Sequence, residues 1–304
     1  MGHVPAHGGR PLVFGEVLVD QLPGGRATLG GAPFNVAWHL QGFGLRPLLV
    51  TRVGEDAEGD AIREQMRRWD MDTVGVQLDP DHPTGRAQVR FRDGQPQFSL
   101  LADQAYDRID AEAASLALHN GEWSVLYHGT LALRSALNVR TLQALRREVG
   151  TIFMDANLRA PWWEQEQVAR LLTQVRWLKL SRAELRDLMG VVMDDEPTVY
   201  AVATELLRRY RLELLLVTDG ENGAHYFSDG ESGWQPVVPA APLVDTVGAG
   251  DAFSAVCILG LIYRWPLKTI LLRASEFAAC ICMRPGAAPS EPALYETLLE
   301  RWAP

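Results

Sequence analysis

Residues 245–253 of this 304-residue chain read Asp-Thr-Val-Gly-Ala-Gly-Asp-Ala-Phe. An apolar stretch, residues 252–261, follows directly and predicts a buried helix. Gly248, Ala249 and Gly250 would supply small residues and free backbone N–H groups at the start of that helix. Such a terminus attracts anions, because its unpaired donors and the helix dipole both face the ligand.

Asp251 stands at the same predicted helix start, where a carboxylate stays ionised. An ionised carboxylate beside an anion pocket suits a base that takes a proton from a hydroxyl attacking phosphorus. The pattern therefore indicates a kinase for a small alcohol. A Gly-x-Gly-Asp string before a helix can also be no more than a tight loop with an acidic first turn.

The composition narrows the class of protein. A chain of 304 residues can bury a large core, either as one α/β domain with an appendage or as two small domains. The chain is 47% apolar but has no run of eighteen apolar residues, so we expect no membrane span and no membrane partner. The net charge of −9 and the lack of a basic run argue against a nucleic-acid partner. Residues 1–10 lack a hydrophobic signal core, and we expect them to be disordered and partly vector-derived.

Cysteine and lysine usage adds two constraints. Cys257, Cys280 and Cys282 lie in apolar sequence without metal-ligand spacing, which indicates reduced core residues in a cytoplasmic protein. Lys179 and Lys268 are the only lysines, and no Gly-Lys-Ser/Thr string occurs, so a P-loop phosphate site is excluded. Any phosphoryl transfer must use helix termini and arginine.

Short apolar runs alternate with amphipathic stretches, which is typical of a parallel sheet covered by helices. The predicted buried strands are residues 12–15, 48–52, 125–127, 152–154, 177–180 and 214–217. Helical periodicity predicts helices at residues 60–69, 137–149, 198–210 and 270–283.

Two segments depart from this alternation of strands and helices. Residues 21–29 are short and Gly-rich, and residues 86–101 alternate between apolar and polar side chains around Asp93-Gly94, which indicates a hairpin. We interpret both segments as strands of a small β lid over the main sheet. The alternative is an ordinary surface hairpin.

Polar residues follow the predicted strands, at the edge where open α/β sheets bind ligands. They are Gly15, Glu16, Asp20, His128, Thr130, Asp155, Asn157, Arg159, Lys179, Ser181, Glu184, Thr218, Asp219 and Gly220. Any one of them could be a loop residue or a helix cap, as Ser181 and Glu184 could be in a capping box. Together they outline one polar crescent, which predicts a ligand site.

A second glycine site, Gly30-Gly31-Ala32-Pro33-Phe34-Asn35, leads into a short apolar helix. Its small residues would let a ligand approach the backbone, and Asn35 offers both a donor and an acceptor to hydroxyls. Gly-Gly followed by Pro is also typical of an ordinary turn that binds no ligand.

The chain resembles the ribokinase-like (phosphofructokinase-B) sugar kinases from about residue 12 to residue 299, and within them it is most like the fructokinases. The matching strings are Gly-Glu-Val-Leu-Val-Asp (15–20), Gly-Gly-Ala-Pro-x-Asn-Val-Ala (30–37), Pro-Thr-Gly-Arg-Ala (83–87), Asp-Ala-Asn-Leu-Arg (155–159), Lys-Leu-Ser-x-x-Glu-Leu (179–185), Val-Thr-Asp-Gly-Glu-Asn-Gly (217–223) and residues 245–253. The resemblance implies a three-layer α/β/α sandwich with a mostly parallel central sheet and a small β lid. The core would comprise residues 1–20, 30–82 and 103–304, and the lid residues 21–29 and 83–102.

The resemblance also implies an activity, the ATP-dependent phosphorylation of a sugar's primary hydroxyl, with fructose as the expected sugar. Asp251 matches the catalytic base, and the backbone of Gly248, Ala249 and Gly250 matches the anion hole. Arg159 matches a residue near the transferring phosphate. The positions that correspond to sugar-binding residues are Asp20, Gly30, Gly31, Asn35, Gln88 and Asn157.

Cofactor positions follow from the same resemblance. Glu184, with Ser181, matches residues that organise Mg²⁺ through water. Thr218, Gly220 and Gly223 match the nucleotide-binding loop. A monovalent-cation site, expected to take K⁺, would comprise Asp245, Val247, Arg284, Gly286 and Ser290.

Three positions depart from the family pattern. Ser181 replaces a common Asn, Thr130 replaces the Ser that follows a Gly in many fructokinases, and Asp219 puts a negative charge in the nucleotide loop. Lid strands in this family often pair between chains, so the resemblance also implies a homodimer through the lid.

Several alternatives remain at this point. A nicotinamide-dependent dehydrogenase fails because the Gly-Ala-Gly turn lies late in the chain and no acidic residue follows at the required distance. A sugar-binding protein without catalysis would not need Asp251. Within the kinases, 2-keto-3-deoxygluconate kinase, ribokinase and nucleoside kinase stay open, and Arg86, Arg90 and Arg92 could serve an acid substrate.

Overall fold

The computed structural model describes residues 9–21, 27–92, 95–119 and 121–303, with the side chains of residues 89–98 left out. The prediction of disorder for residues 1–10 falls mostly outside this range. The strands are β1 (Arg10–Phe14), β2 (Leu18–Gln21), β3 (Ala27–Gly30), β4 (Leu48–Gly54), β5 (Val76–Asp79), β6 (Gly85–Arg92), β7 (Gln95–Leu100), β8 (Trp123–His128), β9 (Ile152–Asp155), β10 (Trp177–Ser181), β11 (Leu214–Thr218), β12 (Ala224–Ser228) and β13 (Glu231–Gln235). The helices are α1 (Ala32–Gly42), α2 (Ala57–Arg68), α3 (Ala111–Leu118), α4 (Ala136–Glu148), α5 (Gln165–Leu172), α6 (Arg182–Met189), α7 (Glu196–Tyr210), α8 (Ala249–Ile262), α9 (Leu267–Cys282) and α10 (Pro292–Trp302).

A nine-stranded sheet forms the centre of the protein, with the strand order β13-β12-β11-β10-β9-β8-β1-β4-β5. The strands from β11 to β5 in this order run parallel, while β12 and β13 pair antiparallel at one edge. Parallel strands require long crossovers, and the amphipathic helices predicted from the sequence supply them. The α/β class is therefore confirmed.

Alternate residues of the central strands enter two separate cores, one on each face of the sheet. Val13 and Tyr127 pack with α1, α2, α8, α9 and α10, whereas Leu12 and Leu126 pack with α3, α4, α5, α6 and α7. Because both faces are covered, these strands read as continuous apolar runs rather than alternating ones. The arrangement is the predicted three-layer sandwich. No helix among the described residues combines the length and the apolar character that a membrane span requires.

A second sheet of four strands, in the order β3-β2-β6-β7, stands apart from the central one. β6 and β7 pair antiparallel from Ala87 with Leu100 to Arg92 with Gln95, in keeping with the predicted hairpin. The Asp93-Gly94 turn itself lies outside the described residues. β2 hydrogen-bonds to β3 and β6, so residues 18–20 belong to this sheet by pairing, although the sequence analysis assigned them to the core. The division into a core and a lid stays a prediction.

One carboxylate connects the small sheet to the central layer. Asp56 caps α2 by accepting from the Gly59 N–H at 2.8 Å, and it also accepts from the Thr84 N–H at 2.8 Å and the Thr84 hydroxyl at 2.7 Å. Thr84 lies directly before β6. Partial burial disfavours the charged form, but the hydrogen bonds from Thr84 and Gly59 outweigh it, and the pKa of Asp56 lies below its ordinary value.

We expect Asp56→Ala to lower the free energy of unfolding by about 2 to 3 kcal/mol, because it removes a helix cap and leaves the Thr84 donors without their acceptor. Urea denaturation followed by circular dichroism measures this change. Asp60→Ala, on the same helix but with an 81% exposed side chain, is the matched control and should cost less than about 1 kcal/mol. Equal losses in the two variants would contradict the anchoring role of Asp56.

Candidate active site

A cavity of about 320 Å³ opens where the carboxyl ends of the central strands face the small sheet. Leu18, Asp20, Ala87 and Leu100 line it from the small sheet, and the first turn of α8 lines it from the central layer. This is the edge at which the sequence predicted a polar crescent. The remaining lining residues are Glu16, Gly31, Ala32, Asn35, Leu131, Asn157, Arg159, Lys179, Thr246, Val247, Gly248, Gly250 and Asp251.

The start of α8 forms one wall of this cavity. Gly248 is the N-cap residue with φ of 79°, a left-handed conformation that glycine adopts without strain. A Cβ atom at this position would lie 2.3 Å from the Cβ of Ala287, so the close approach of the neighbouring loop also requires glycine. No side chain among the described residues caps this terminus. The Ala249 N–H makes a long hydrogen bond of 3.3 Å to the Thr246 carbonyl, and with no side-chain cap the helix start can still bind an anion.

Asp251 lies in the first turn of α8 and lines the cavity. Burial raises the pKa of Asp251 to about 6, while the hydrogen bond from the Asn35 amide at 2.7 Å opposes that rise. The charge of Asp155 adds to the rise, and Lys179 and Arg159 act against it. A carboxylate with this pKa is mostly ionised at neutral pH yet more basic than a free aspartate, which suits a general base.

Three of the positions that the resemblance predicts to bind the sugar line the same cavity as Asp251: Asp20, Gly31 and Asn35. Asp20 on β2 is 8% exposed, and burial, together with the negative charge of Asp251, raises its pKa to about 7. Gly31 has φ of 105°, and a Cβ atom there would lie 2.7 Å from the backbone oxygen of Glu16. Asn35, on the first turn of α1, joins this side of the cavity to Asp251.

The structure brings together nine of the predicted site residues in the cavity lining: Asp20, Gly31, Asn35, Asn157, Arg159, Val247, Gly248, Gly250 and Asp251. Gly30 ends β3 and Ala249 begins α8, each next to a lining residue. Gln88 follows the lining residue Ala87 on β6, and successive strand residues face opposite sides of a sheet. The predicted positions outside the lining are Gly30, Gln88, Ser181, Glu184, Thr218, Gly220, Gly223, Asp245, Ala249, Arg284, Gly286 and Ser290.

Glu184 lies outside the cavity lining, and its side chain holds the turn that carries Asn157 and Arg159. Its carboxylate accepts from the Leu158 N–H at 2.6 Å. It also accepts from the Ser181 N–H at 2.7 Å, while the Ser181 hydroxyl accepts from the Glu184 N–H at 3.2 Å, and these two bonds form the predicted capping box. Among the residues that the structure describes, no cluster of three acidic, histidine or cysteine side chains could hold a metal ion directly. Binding of Mg²⁺ through water and phosphate oxygens is compatible with this donor set.

The predicted nucleotide loop follows β11. Thr218 ends that strand, Gly220 starts a short turn, and Gly223 closes it with the Asp219 N–H donating to the Gly223 carbonyl at 2.8 Å. Asp219, a departure from the family pattern, accepts from the Arg182 guanidinium at 3.0 Å. The negative charge in the loop is thus compensated by an arginine from the start of α6.

The proposed monovalent-cation residues lie beside the start of α8. The Asp245 carboxylate accepts from the Val247 N–H at 3.0 Å and from the Gly286 N–H at 3.2 Å, so it joins the two loops of this region. Arg284 donates to the Cys280 carbonyl at 2.7 Å, and Ser290 is exposed. Carboxylate and backbone oxygens are ligands that a hard cation accepts.

Lys179 and Asp155 follow two predicted strands, and the sequence predicts no specific role for either residue. Lys179 is 7% exposed, and its ammonium donates to the 1% exposed Asp155 carboxylate at 2.9 Å and 3.2 Å. Asp155 also accepts from the hydroxyl of Ser254, one turn into α8, at 2.9 Å. Burial favours the neutral amine, but the adjacent carboxylate outweighs it and raises the pKa of Lys179. Three features of the sequence could have singled out this residue: the scarcity of lysine, its position after a predicted strand, and its place in the string of residues 179–185.

Comparisons with known proteins agree with this geometry. The profile of the "pfkB family carbohydrate kinase" matches residues 12–294. The fructokinase of Klebsiella pneumoniae is 30% identical over 267 residues, which cover 83% of this chain and 84% of that protein. The solved structure of a fructokinase from Xylella fastidiosa with bound ATP has a TM-score of 0.83 at 22% identity and covers 96% of this chain and 98% of its own. A fructokinase double mutant from Vibrio cholerae O395, in a form with fructose, ADP and potassium ion bound, has a TM-score of 0.79 at 22% identity, with coverage of 97% and 100%.

We expect Lys179→Met to lower the free energy of unfolding by roughly 3 to 5 kcal/mol, because it leaves the buried Asp155 carboxylate without its counter-charge. Lys268→Met changes the other lysine, which is exposed, and should be nearly neutral in the same urea titration. The double variant Lys179→Met with Asp155→Asn should recover part of the loss. Losses that add without any recovery would contradict the direct pairing of the two side chains.

Proposed function

The chain belongs to the pfkB family of carbohydrate kinases, and on that premise we propose that it transfers the γ-phosphate of ATP to a primary hydroxyl of fructose. It is a phosphotransferase with an alcohol group as acceptor. The observation that carries the proposal is the position of Asp251, which shares one cavity with the start of α8, with Arg159 and with the hydroxyl-binding candidates Asp20 and Asn35. The names of the fructokinase relatives support fructose as the sugar.

Asp251 acts as the general base in this proposal. It removes the proton of the acceptor hydroxyl as the bond from oxygen to phosphorus forms, and the bond from phosphorus to the ADP oxygen breaks in line with it. Asn35 donates to one carboxylate oxygen of Asp251 and leaves the other to face the hydroxyl. Burial raises the pKa of Asp251 to about 6, so the carboxylate is ionised and sufficiently basic at neutral pH.

The start of α8 would also stabilise the negative charge on the transferred phosphoryl group. The backbone N–H groups of Gly248, Ala249 and Gly250 would bind the phosphoryl oxygens, because they stand at the positive end of the α8 dipole. The Ala249 N–H would exchange its 3.3 Å bond to the Thr246 carbonyl for the ligand. Arg159 lines the same part of the cavity and supplies a full positive charge. Asn157, two residues earlier, would contact the acceptor or the phosphate from the same turn.

The nucleotide would reach the cavity over the loop of Thr218, Gly220 and Gly223, which follows β11. Magnesium, when bound to the ATP phosphates, neutralises their charge, and Glu184 and Ser181 would organise its water shell. We propose that K⁺ occupies the loop region of Asp245, Val247, Arg284, Gly286 and Ser290. Structural neighbours described with ATP and with potassium ion support both assignments.

A homodimer through the small sheet and a cytoplasmic location remain predictions from the resemblance and the composition. Sedimentation velocity tests the dimer.

A screen of ADP release tests the proposed activity, with fructose, 2-keto-3-deoxygluconate, ribose, adenosine and tagatose as acceptors, each with and without K⁺. We expect the largest kcat/KM with fructose and a higher rate with K⁺. A larger kcat/KM with any other acceptor would replace fructose by that acceptor. Acceptor binding without ADP release would instead favour a non-catalytic sugar-binding protein.

We expect Asp251→Asn to lower kcat by at least about a hundredfold, since general-base help is typically worth about 10² to 10⁴ in rate. Sugar affinity, measured by calorimetry without ATP, should change by less than about threefold, because the amide keeps the size of the side chain. Asp20→Asn is the matched comparison and should raise KM more than it lowers kcat. Activity of Asp251→Asn above about a tenth of wild type would remove Asp251 from the role of base.

The pH dependence of kcat/KM provides a second test of the base. Since the pKa of Asp251 is about 6 and its ionised form is the active one, kcat/KM should fall as the pH drops through this value, below any change that the titration of Asp20 near pH 7 causes. Asn35→Ala removes the hydrogen bond that favours the ionised form, so the acid limb should move to higher pH. Rates measured between about pH 5 and about pH 8 would contradict the assignment if the acid limb stays in place in Asn35→Ala.

A further inference from the structure

Arg182 is a charged residue near the ends of the central strands that the proposed mechanism does not use. It is the first residue of α6, directly after Ser181, and its side chain is 22% exposed. Its Nη1 atom donates to Glu196 at the start of α7 at 2.9 Å and to Asp219 in the loop after β11 at 3.0 Å. Its Nη2 atom donates to the Met193 carbonyl at 3.0 Å. Arg182 therefore connects the start of α6 to α7 and to that loop.

The nucleotide loop, residues 218–223, has two kinds of support. Inside the loop the Asn222 N–H donates to the Asp219 carbonyl at 2.9 Å, and the Trp234 indole on β13 donates to the Asn222 carbonyl at 2.9 Å. These bonds fix the shape of the loop. Among the described residues, Asp219 is the only loop residue whose side chain hydrogen-bonds to a helix, and its partner is Arg182. This bond holds the loop against the start of α6.

The pair of Arg182 and Asp219 lies in a more protected place than a surface ion pair. The Asp219 side chain is 18% exposed and the Arg182 side chain 22%. Arg176 and Glu213 join the opposite, amino ends of the same two strands, β10 and β11, and both side chains are 49% exposed. Charge-assisted hydrogen bonds fix geometry best where solvent competes least, whereas exposed pairs contribute little. The pair at the ligand edge is therefore the one able to hold a loop in place.

The start of α6 also carries the residues assigned to the phosphate end of ATP. Ser181 and Glu184 form its capping box and are the proposed organisers of the magnesium water shell. Glu184 accepts from the Leu158 N–H at 2.6 Å and so holds the turn that carries Arg159. One helix start thus contacts the phosphate-side turn through Glu184 and the nucleotide loop through Arg182.

We propose that Arg182 is a positioning residue for ATP: its ion pair with Asp219 holds the nucleotide loop in register with the start of α6. The inference rests on the proposed kinase function and deepens it. Asp219 departs from the family pattern, so the pair belongs to this chain's own sequence. Without Arg182 the loop loses its contact with α6, and the Asp219 carboxylate, left without a cation among the described residues, repels the ATP phosphates.

Calorimetry with β,γ-methylene-ATP and excess Mg²⁺, without sugar, measures nucleotide binding by itself. We expect Arg182→Met to raise the Kd of this analogue at least about tenfold, because it breaks a charged hydrogen bond and leaves the acid unpaired. Arg182→Lys keeps the charge but cannot reproduce the forked contact, so the Kd should rise by only about threefold. In the ADP-release assay the KM for ATP should follow the same order, while the KM for fructose changes by less than about twofold.

A double-mutant cycle tests the pairing itself. Asp219→Ala breaks the pair from the other side but also removes the negative charge, so the Kd of the analogue should rise by about threefold. The double variant Arg182→Met with Asp219→Ala should bind no worse than Arg182→Met alone, since one pair is lost only once. A double variant whose Kd rises by the product of the two single effects would contradict the direct pairing.

Arg176→Met is the matched control, because it breaks the exposed pair with Glu213 at the far ends of the same strands. We expect it to change the Kd of the analogue by less than about twofold. An equal rise in Arg176→Met and Arg182→Met would show a general effect of charge and would overturn the inference.

The outcomes distinguish this inference from the proposed function. An Arg182→Met protein that binds the analogue as tightly as wild type overturns the inference and leaves the kinase function standing. Equal rises in the KM values for ATP and fructose also overturn it, because they indicate general damage to the fold. A wild-type protein that neither binds the analogue nor releases ADP with any acceptor overturns the kinase function, and the inference with it. Circular dichroism confirms folding, and Arg182→Lys provides the decision if Arg182→Met does not fold.

Discussion

The site depends on a buried carboxylate, Asp155, that fixes the start of α8 against the end of the central sheet. It lies at the end of β9 and accepts hydrogen bonds from Lys179 on β10 and from Ser254 inside α8. These contacts cross from the sheet to the helix without solvent, since Asp155 is 1% exposed. A buried, charge-assisted network of this kind allows little movement, because each displaced partner would leave a polar group unsatisfied. The first turns of α8 are therefore held by the core of the protein.

With α8 fixed, the cavity combines donor and acceptor groups. Backbone N–H groups, Arg159 and Lys179 are donors, whereas the carboxylates of Asp20 and Asp251 are acceptors. The Asn35 amide donates to Asp251 and so joins α1 to the start of α8. In the proposed reaction the proton moves from the sugar hydroxyl to Asp251, beside the anion hole. This combination of groups agrees with a polyol and a phosphate bound in the same cavity.

Local sequence was sufficient to predict six strands of the central sheet and the tip of α8, whereas the edge strands β5, β12 and β13 were not predicted. The strand runs, the α8 start and the Ser181 capping box depend on residues a few positions apart, and the structure contains all of them. The contact of Asn35 with Asp251 joins residues 216 positions apart, so only the family resemblance could bring them together in advance. The significance of Lys179 comes from its burial against Asp155, which no local pattern records. The pairing of Asp219 with Arg182 likewise depends on how β11 packs beside α6.

Two acids of the cavity also couple sugar binding to the strength of the base. The charge of Asp251 raises the pKa of Asp20, so the two groups interact across the cavity. A hydroxyl donated to Asp20 would favour its charged form. The added negative charge would then raise the pKa of Asp251 in return, because the interaction is reciprocal. In the proposed reaction, a sugar that donates to Asp20 makes Asp251 a stronger base at the moment when its own hydroxyl is in position. An acceptor that lacks this hydroxyl would lose both binding free energy and part of the driving force for proton removal.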